Sequence, residues 1–203
     1  MRFDFHFKVF LAGECATGKS AFRERLMMDR FSHVLGDYEP TIGIDIGVRD
    51  CFVEPFLVNV QIWDAAGRAQ FRTLLTSYAR QSSAAILFFD ATRRDTFAAL
   101  GDWARFVERA APGSKRRATL VIGTHCDDTQ RVVSEEEALE FARANGFTFG
   151  EFDAKTHSQH DALVLLESLV KRLINDDTDR QRIANIAAEA AKSKRNASFG
   201  AVV

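Results

Sequence analysis

The chain has too few cysteines for a disulfide framework. Cys15, Cys51 and Cys126 are the only three in 203 residues, and they lie far apart with no CxxC or Cys/His ligand spacing. The same spacing excludes a zinc site and points to reduced thiols in the cytosol. An excess of one charge sign is also missing. Against 28 Asp plus Glu stand 27 Lys plus Arg, a formal net charge of −1, without the clustered basic residues that a nucleic-acid footprint needs. There is no run of about 18 apolar residues. The N-terminal MRFDFHFKVF alternates aromatic with charged residues, so the sequence reads as neither exported nor membrane-spanning.

What is present is material for a core. The hydrophobic content is 46%, including 18 Phe and two Trp, which excludes a chain disordered throughout. The length fits one domain and a tail. We divide the chain at 175, with residues 1–175 as the domain and 176–203 as a C-terminal tail, partly helical or disordered.

Phe3, Phe5 and Phe7 alternate with polar residues before the apolar run Val9-Phe10-Leu11-Ala12, which predicts a first strand over 3–12. A helix follows over 19–30. Segments 42–53 and 56–64, joined at Glu54-Pro55, read as an antiparallel hairpin. Residues 84–90, 118–123 and 147–152 read as short interior strands, with helices near 95–110, 134–145 and 159–174. Asp95 is a candidate helix cap, and Ser134 followed by Glu137 has capping-box spacing. Strand alternating with helix gives an α/β, doubly wound sheet covered on both faces, whose ligands bind in the loops after residues 12, 64, 90, 123 and 152.

Gly13-Glu14-Cys15-Ala16-Thr17-Gly18-Lys19-Ser20 fits G-x-x-x-x-G-K-[ST] between the first strand and the first helix. Its glycines let successive N–H groups and a positive helix end face one anion, with Ala21 next in the helix. Lys19 brings a point charge to the outer phosphates and Ser20 a hydroxyl to Mg²⁺. Such a loop takes ATP or GTP alike. Thr124-His125-Cys126-Asp127, after a later strand, supplies the choice, because a carboxylate at Asp127 can accept from N1–H and the exocyclic amine of guanine. Trp63-Asp64-Ala65-Ala66-Gly67 adds a strand-end carboxylate for Mg²⁺ and a glycine able to approach a terminal phosphate.

With these three loops in order over residues 3–174, the chain resembles a small GTPase of the Ras superfamily. The Rab branch is the nearest, through Thr41-Ile42-Gly43-Ile44-Asp45, Gln61-Ile62-Trp63-Asp64, Phe71-Arg72-Thr73 and Ser77-Tyr78. The resemblance implies a P-loop NTPase fold, with a mostly parallel six-stranded sheet containing one antiparallel strand. It implies GTP or GDP with Mg²⁺ as ligands, and Ser20, Thr41 and Asp64 at the metal. Thr41 and Gly67 would close two switch loops on the γ-phosphate, and Lys19 and the residue at 68 would complete the catalytic set. Asp153-Ala154-Lys155 would complete the base site, with the Ala154 N–H reaching guanine O6. Effectors and regulators would bind at 31–47 and 64–80, on a monomeric protein.

The departures from that pattern are specific. Arg68 stands where the family has the glutamine that orients the attacking water, and a guanidinium has no acceptor. Hydrolysis should therefore be slow, although a swung-in arginine-finger role is the runner-up. Cys15 and Ala16 replace small residues of the phosphate loop. Thr124 stands for Asn, His125 for the Lys that covers the base, and Val34 for an aromatic stack that Phe31 could replace. The Phe-Trp-Tyr effector triad becomes Ile46, Trp63 and Tyr78. No cysteine follows Cys126, so prenylation is not expected. The protein would be cytoplasmic, brought to membranes or to a cytoskeletal or ciliary complex by its partners. A GTPase fold kept as an interaction subunit, with little or no switching, is the alternative. His157 and His160 read as surface histidines, Trp103 as packing, and Cys15 as an inert thiol.

Overall fold

A computed structural model describes residues 2–29, 41, 43–67, 72–110, 117–127 and 129–176. Six strands form one sheet: β1 (Phe5–Gly13), β2 (Ile44–Val53), β3 (Phe56–Ala65), β4 (Ala84–Asp90), β5 (Ala118–Thr124) and β6 (Thr148–Glu151), in the order β2-β3-β1-β4-β5-β6. Only the β2–β3 pair is antiparallel. Among the described residues the helices are α1 (Lys19–Met28), α2 (Arg72–Arg80), α3 (Arg94–Ala98), α4 (Leu100–Ala110), α5 (Glu135–Ala144) and a last helix, α6, over 159–176.

The central strands are buried on both faces, which is why their sequences run apolar without a break. Along β1, Val9 and Leu11 enter one core while Phe10 and Ala12 enter the other. The first core includes α1 and α6 side chains, with Phe22 edge-on to Phe88 at 5.5 Å and to Phe152 at 5.1 Å. The second packs α2, α4 and α5 against the opposite face, around the fully buried Trp103.

The doubly wound class and the six-stranded sheet with one antiparallel strand agree with the sequence reading, and several boundaries move. Helix α2 had no counterpart in that reading. The single helix expected near 95–110 is two, Arg94–Ala98 and Leu100–Ala110. Asp95 is not the cap. The cap position is Arg93, without a side-chain bond, and Asp95 sits in the first turn, paired with the Arg93 guanidinium at 3.0 Å. An acidic first turn serves the helix dipole as a cap would, so the sequence signal was real but two positions out. At α5 the Glu137 N–H donates to Ser134 Oγ at 3.1 Å. The Glu137 carboxylate pairs with Arg94 instead of completing the box. Strand β6 is shorter than expected: Phe147 and Phe152 flank it and fill the two cores, and the Phe152 N–H still donates to Gly123 O at 2.8 Å. The expected tail lies outside the described residues beyond Asp176.

In the parallel register Leu11 stands beside Asp64, Gly13 beside Phe88, and Asp90 beside Thr124. The carboxyl ends of β1, β3, β4 and β5 therefore stop at one level, and the loops after them meet.

Candidate nucleotide site

Beyond β1 the chain turns at two glycines in conformations that disfavour side chains. Gly13 has φ +144°, and a Cβ there would lie 2.4 Å from Phe88 O. Gly18 has φ +78°, and its Cβ would lie 2.9 Å from the Thr124 methyl. Ala16 between them also has a positive φ, 58°. This curl carries the chain straight into α1, whose first residue is Lys19. The Lys19 ammonium is buried and donates to Gly13 O at 3.0 Å and Glu14 O at 2.7 Å, closing the loop on itself. Burial holds its pKa below the ordinary lysine range, against the pull of Asp64. Thr17 Oγ1 donates to Glu14 O at 2.9 Å.

The loop is braced from outside by contacts that the sequence reading did not foresee. Trp103 Nε1 on α4 donates to the Glu14 carboxylate at 3.0 Å, and the Arg93 guanidinium donates to Cys15 O at 3.2 Å. Gly67 approaches from the end of β3, where an added Cβ would lie 2.7 Å from Cys15 N. The backbone of residue 67 therefore abuts the phosphate loop.

At the second residue of α1, Ser20 Oγ lies 3.0 Å from Thr41 Oγ1. Asp64, 1% exposed, stands nearby at the end of β3, and neither of its carboxylate oxygens has a hydrogen-bond partner among the described residues. Burial pushes this carboxyl above its usual range, with the facing Ser20 hydroxyl, Lys19 and Arg23 opposing. The Arg23 Nε is 3.8 Å away, while the same guanidinium pairs with Asp45. A buried carboxylate left without donors is costly, and an oxygen-only set of two hydroxyls and one carboxylate suits Mg²⁺. The residues present therefore fit the metal, and the glycine cradle fits a phosphate.

The other end of the loop opens on a pocket lined by Gly18, Thr124, His125, Phe152, Ala154 and Lys155, among others. Thr124 Oγ1 donates to Phe89 O at 3.0 Å, and its methyl lies against Gly18, so Thr124 ties β5 to β4 and to the phosphate loop. Asp127 is exposed, and its Oδ2 accepts from Thr156 Oγ1 at 2.8 Å. Asp153 is buried, and its Oδ1 accepts from the Lys155 N–H at 2.8 Å. Ala154 O accepts from Arg25 of α1 at 2.5 Å, which pins the loop to the helix that starts the phosphate site.

His157 is not the bland surface histidine of the sequence reading. Its Nδ1 accepts from the Asp153 N–H at 3.0 Å, and its ring lies 5.4 Å from that of Phe152. A polar residue just past a strand end, inside a loop expected to bind, was the available signal for it. Asp90 offered the same signal at the end of β4. Arg68, Val34 and Phe31 lie outside the described residues.

The sequence profile of the Ras family matches residues 8–175. The chain belongs to the Ras family. Within it the chain is a Rab-like small GTPase: it is 37% identical over 156 residues to the Ras-related protein RABC1 of Arabidopsis thaliana, a match covering 76% of this chain and 71% of that protein. It is 34% identical to Rab-13 of Canis lupus familiaris, covering 78% and 76%. It is 32% identical to the GTP-binding protein YPT1 of Saccharomyces cerevisiae, covering 88% of each. Proteins of this family bind GTP or GDP with Mg²⁺ and act as GTPase switches, which assigns the site described above its general chemistry. No helix among the described residues of this Rab-like GTPase is long and apolar enough to cross a membrane.

Proposed function

We propose that this chain is a GTP-dependent switch of intracellular trafficking whose intrinsic hydrolysis is slow. The observation that carries the nucleotide part is the buried Asp64 carboxylate, without a hydrogen-bond partner among the described residues, beside the Ser20–Thr41 hydroxyl pair and under a phosphate loop closed by Lys19. Mg²⁺, when bound, supplies charge neutralisation at the phosphates. Ser20, Thr41 and Asp64 are the residues we assign to hold it.

Lys19 would give up its contacts with Gly13 O and Glu14 O to meet the outer phosphates. The N–H groups of residues 13–21 would face the phosphate oxygens. Thr41 and Gly67 would report the γ-phosphate to the two switch segments. Asp127, steadied by Thr156, would choose guanine, with Ala154 and Lys155 at the base edge and Thr124 and His125 forming the floor and wall. Arg68 offers donors alone to an attacking water, which is the reason for expecting slow turnover.

Effector contacts would fall on 31–47 and 64–80 together with the strand face between them. There Ile46, half exposed, is the cross-strand partner of Trp63, whose ring meets that of Tyr78 at 5.4 Å. Replacing an aromatic by Ile46 in that row favours partners different from those of other Rab-like proteins. We assign residues 1–175 to the nucleotide domain and 176–203 to a tail, on a chain brought to membranes or larger assemblies by its partners.

The test is calorimetry on nucleotide-free, Mg²⁺-containing protein with GTP, GDP and ATP. Heat is expected with both guanine nucleotides and none with ATP. Partner capture should then differ between GDP and a non-hydrolysable GTP analogue. Equal capture in both states would replace the switch by a GTPase-fold interaction subunit, and no heat with either guanine nucleotide would remove the nucleotide function.

A further inference from the structure

Behind the wall of the base pocket lies a contact, between Asp90 and His125, that the roles above leave unused. At the end of β4 the Asp90 side chain is 8% exposed. Its Oδ1 is occupied by Thr92, which donates its N–H at 2.9 Å and its hydroxyl at 2.7 Å. Thr96 Oγ1 accepts from the Asp90 N–H at 3.0 Å. So fixed, Asp90 turns Oδ2 toward His125 Nδ1 at 3.4 Å.

The imidazole is gripped from a second side. Its Nδ1 is also 3.2 Å from Thr124 Oγ1, and that hydroxyl spends its own hydrogen on Phe89 O. Thr124 can therefore only accept here, which makes Nδ1 the protonated nitrogen in both contacts. His125 itself holds φ +53°, a left-handed conformation, at the point where the chain leaves β5 for the pocket. A β-branched or bulky residue would resist that turn.

We propose that Asp90, acting through His125, is a positioning residue of the purine pocket, and that this protein retains guanine nucleotide more tightly when the His125 ring carries a charge. The inference rests on the nucleotide reading above. A cation in a pocket wall favours a purine face and a polyphosphate, and the neutral ring provides neither attraction. The charged groups facing the ring are Asp90 from β4 and Asp153 and Lys155 from the loop after β6. The phosphate-loop side, Gly18 and Ala21, adds none. The Asp90 hydrogen bond raises the His125 pKa above its ordinary 6.5, with burial and Lys155 opposing. The Asp90 contact therefore extends the charged form of the ring to higher pH than in an ordinary imidazole, and a lysine in its place would stay charged throughout.

The experiment is release of fluorescent GDP from the Mg²⁺-loaded full chain between about pH 5.5 and about pH 8.5, for the parent, Asp90→Asn and His125→Lys, with His125 titrated by NMR in the first two. Release from the parent is expected to quicken about three- to tenfold across the range. In Asp90→Asn the step should move to lower pH together with the NMR titration, and in His125→Lys the profile should be flat. A pH-independent parent, or an Asp90→Asn profile that superimposes on it, overturns the proposal. If no variant binds GDP, the nucleotide reading fails. The pair is then judged by NMR alone, where an unchanged His125 titration in Asp90→Asn overturns it.

Discussion

Trp103, buried in the second core on α4, donates its indole N–H to the Glu14 carboxylate at 3.0 Å and so ties the hydrophobic interior to the phosphate loop. Glu14 thus spends its side chain on anchoring, which leaves its backbone to face the phosphates. Removing the donor should loosen both. Trp103→Phe is expected to cost about 1.5–3 kcal/mol, since a bond to a charged acceptor is lost and a smaller ring leaves space. Urea unfolding reads that loss, and nucleotide release should accelerate with it. Glu14→Gln keeps an acceptor and should cost well under half as much.

Asp64 is expected to behave in opposite ways with and without metal. Asp64→Asn removes a buried charge that has no hydrogen-bond donor among the described residues, so the metal-free protein should melt higher than the parent. Its nucleotide affinity should lose most of its Mg²⁺ dependence, by about 10- to 100-fold. A variant that is less stable without metal and unchanged in its response to Mg²⁺ would remove Asp64 from the site.

Arg68→Gln should quicken single-turnover GTP hydrolysis by about tenfold or more, because an amide can both donate to and accept from the attacking water. Unchanged turnover would acquit Arg68 as the reason for slow hydrolysis, and reduced turnover would support a direct stabilising role for its guanidinium.

The Asp90–His125 pair also predicts how stability varies with pH. Burial alone would raise the Asp90 carboxyl, but hydrogen bonds from His125 and Thr92 hold it below its ordinary 3.8. Its contribution is therefore present above that value and lost as pH falls through the lower folded one. The His125 pKa is raised from 6.5, so its contribution is complete below 6.5 and lost as pH rises through the higher folded value. The stability gap between the parent and Asp90→Asn should be widest in the mildly acidic range between the two and narrower at pH about 8.5. A gap that does not vary with pH over this interval would show that the pair carries no charge-dependent stability.

Phe22→Ala, which empties the space between Phe88 and Phe152, should cost about 3–5 kcal/mol by the same unfolding measurement. A loss below about 1 kcal/mol would mean that the α1 side of the sheet can collapse around the gap.

Much of the fold was legible because interior parallel strands write themselves as unbroken apolar runs. Those of β4 and β5 are buried along their whole length, and that of β1 from Val9 onward. Helix α2 was missed because Arg72–Arg80 carries no capping signal of its own, and Leu75 and Ala79 are buried only against the second core. The division of the third helical stretch escaped for a similar reason. The residues of α3 and α4 are both helix formers, and Ala99 between them keeps a right-handed helical φ and ψ, so no residue type marks the break.

By itself the sequence determined the alternation of strand and helix, the phosphate-binding loop, the polar residues at the strand ends and the family. Each of these is a local matter of residue type and spacing along the chain. Only the tertiary structure decided that Trp103 holds Glu14, that Asp64 is buried without a hydrogen-bond donor among the described residues, and that Asp90 meets His125. These partners are 89 residues apart for the first pair and 35 for the last. Their contact depends on which strand ends the sheet brings to a common level, and no local pattern in the chain encodes that.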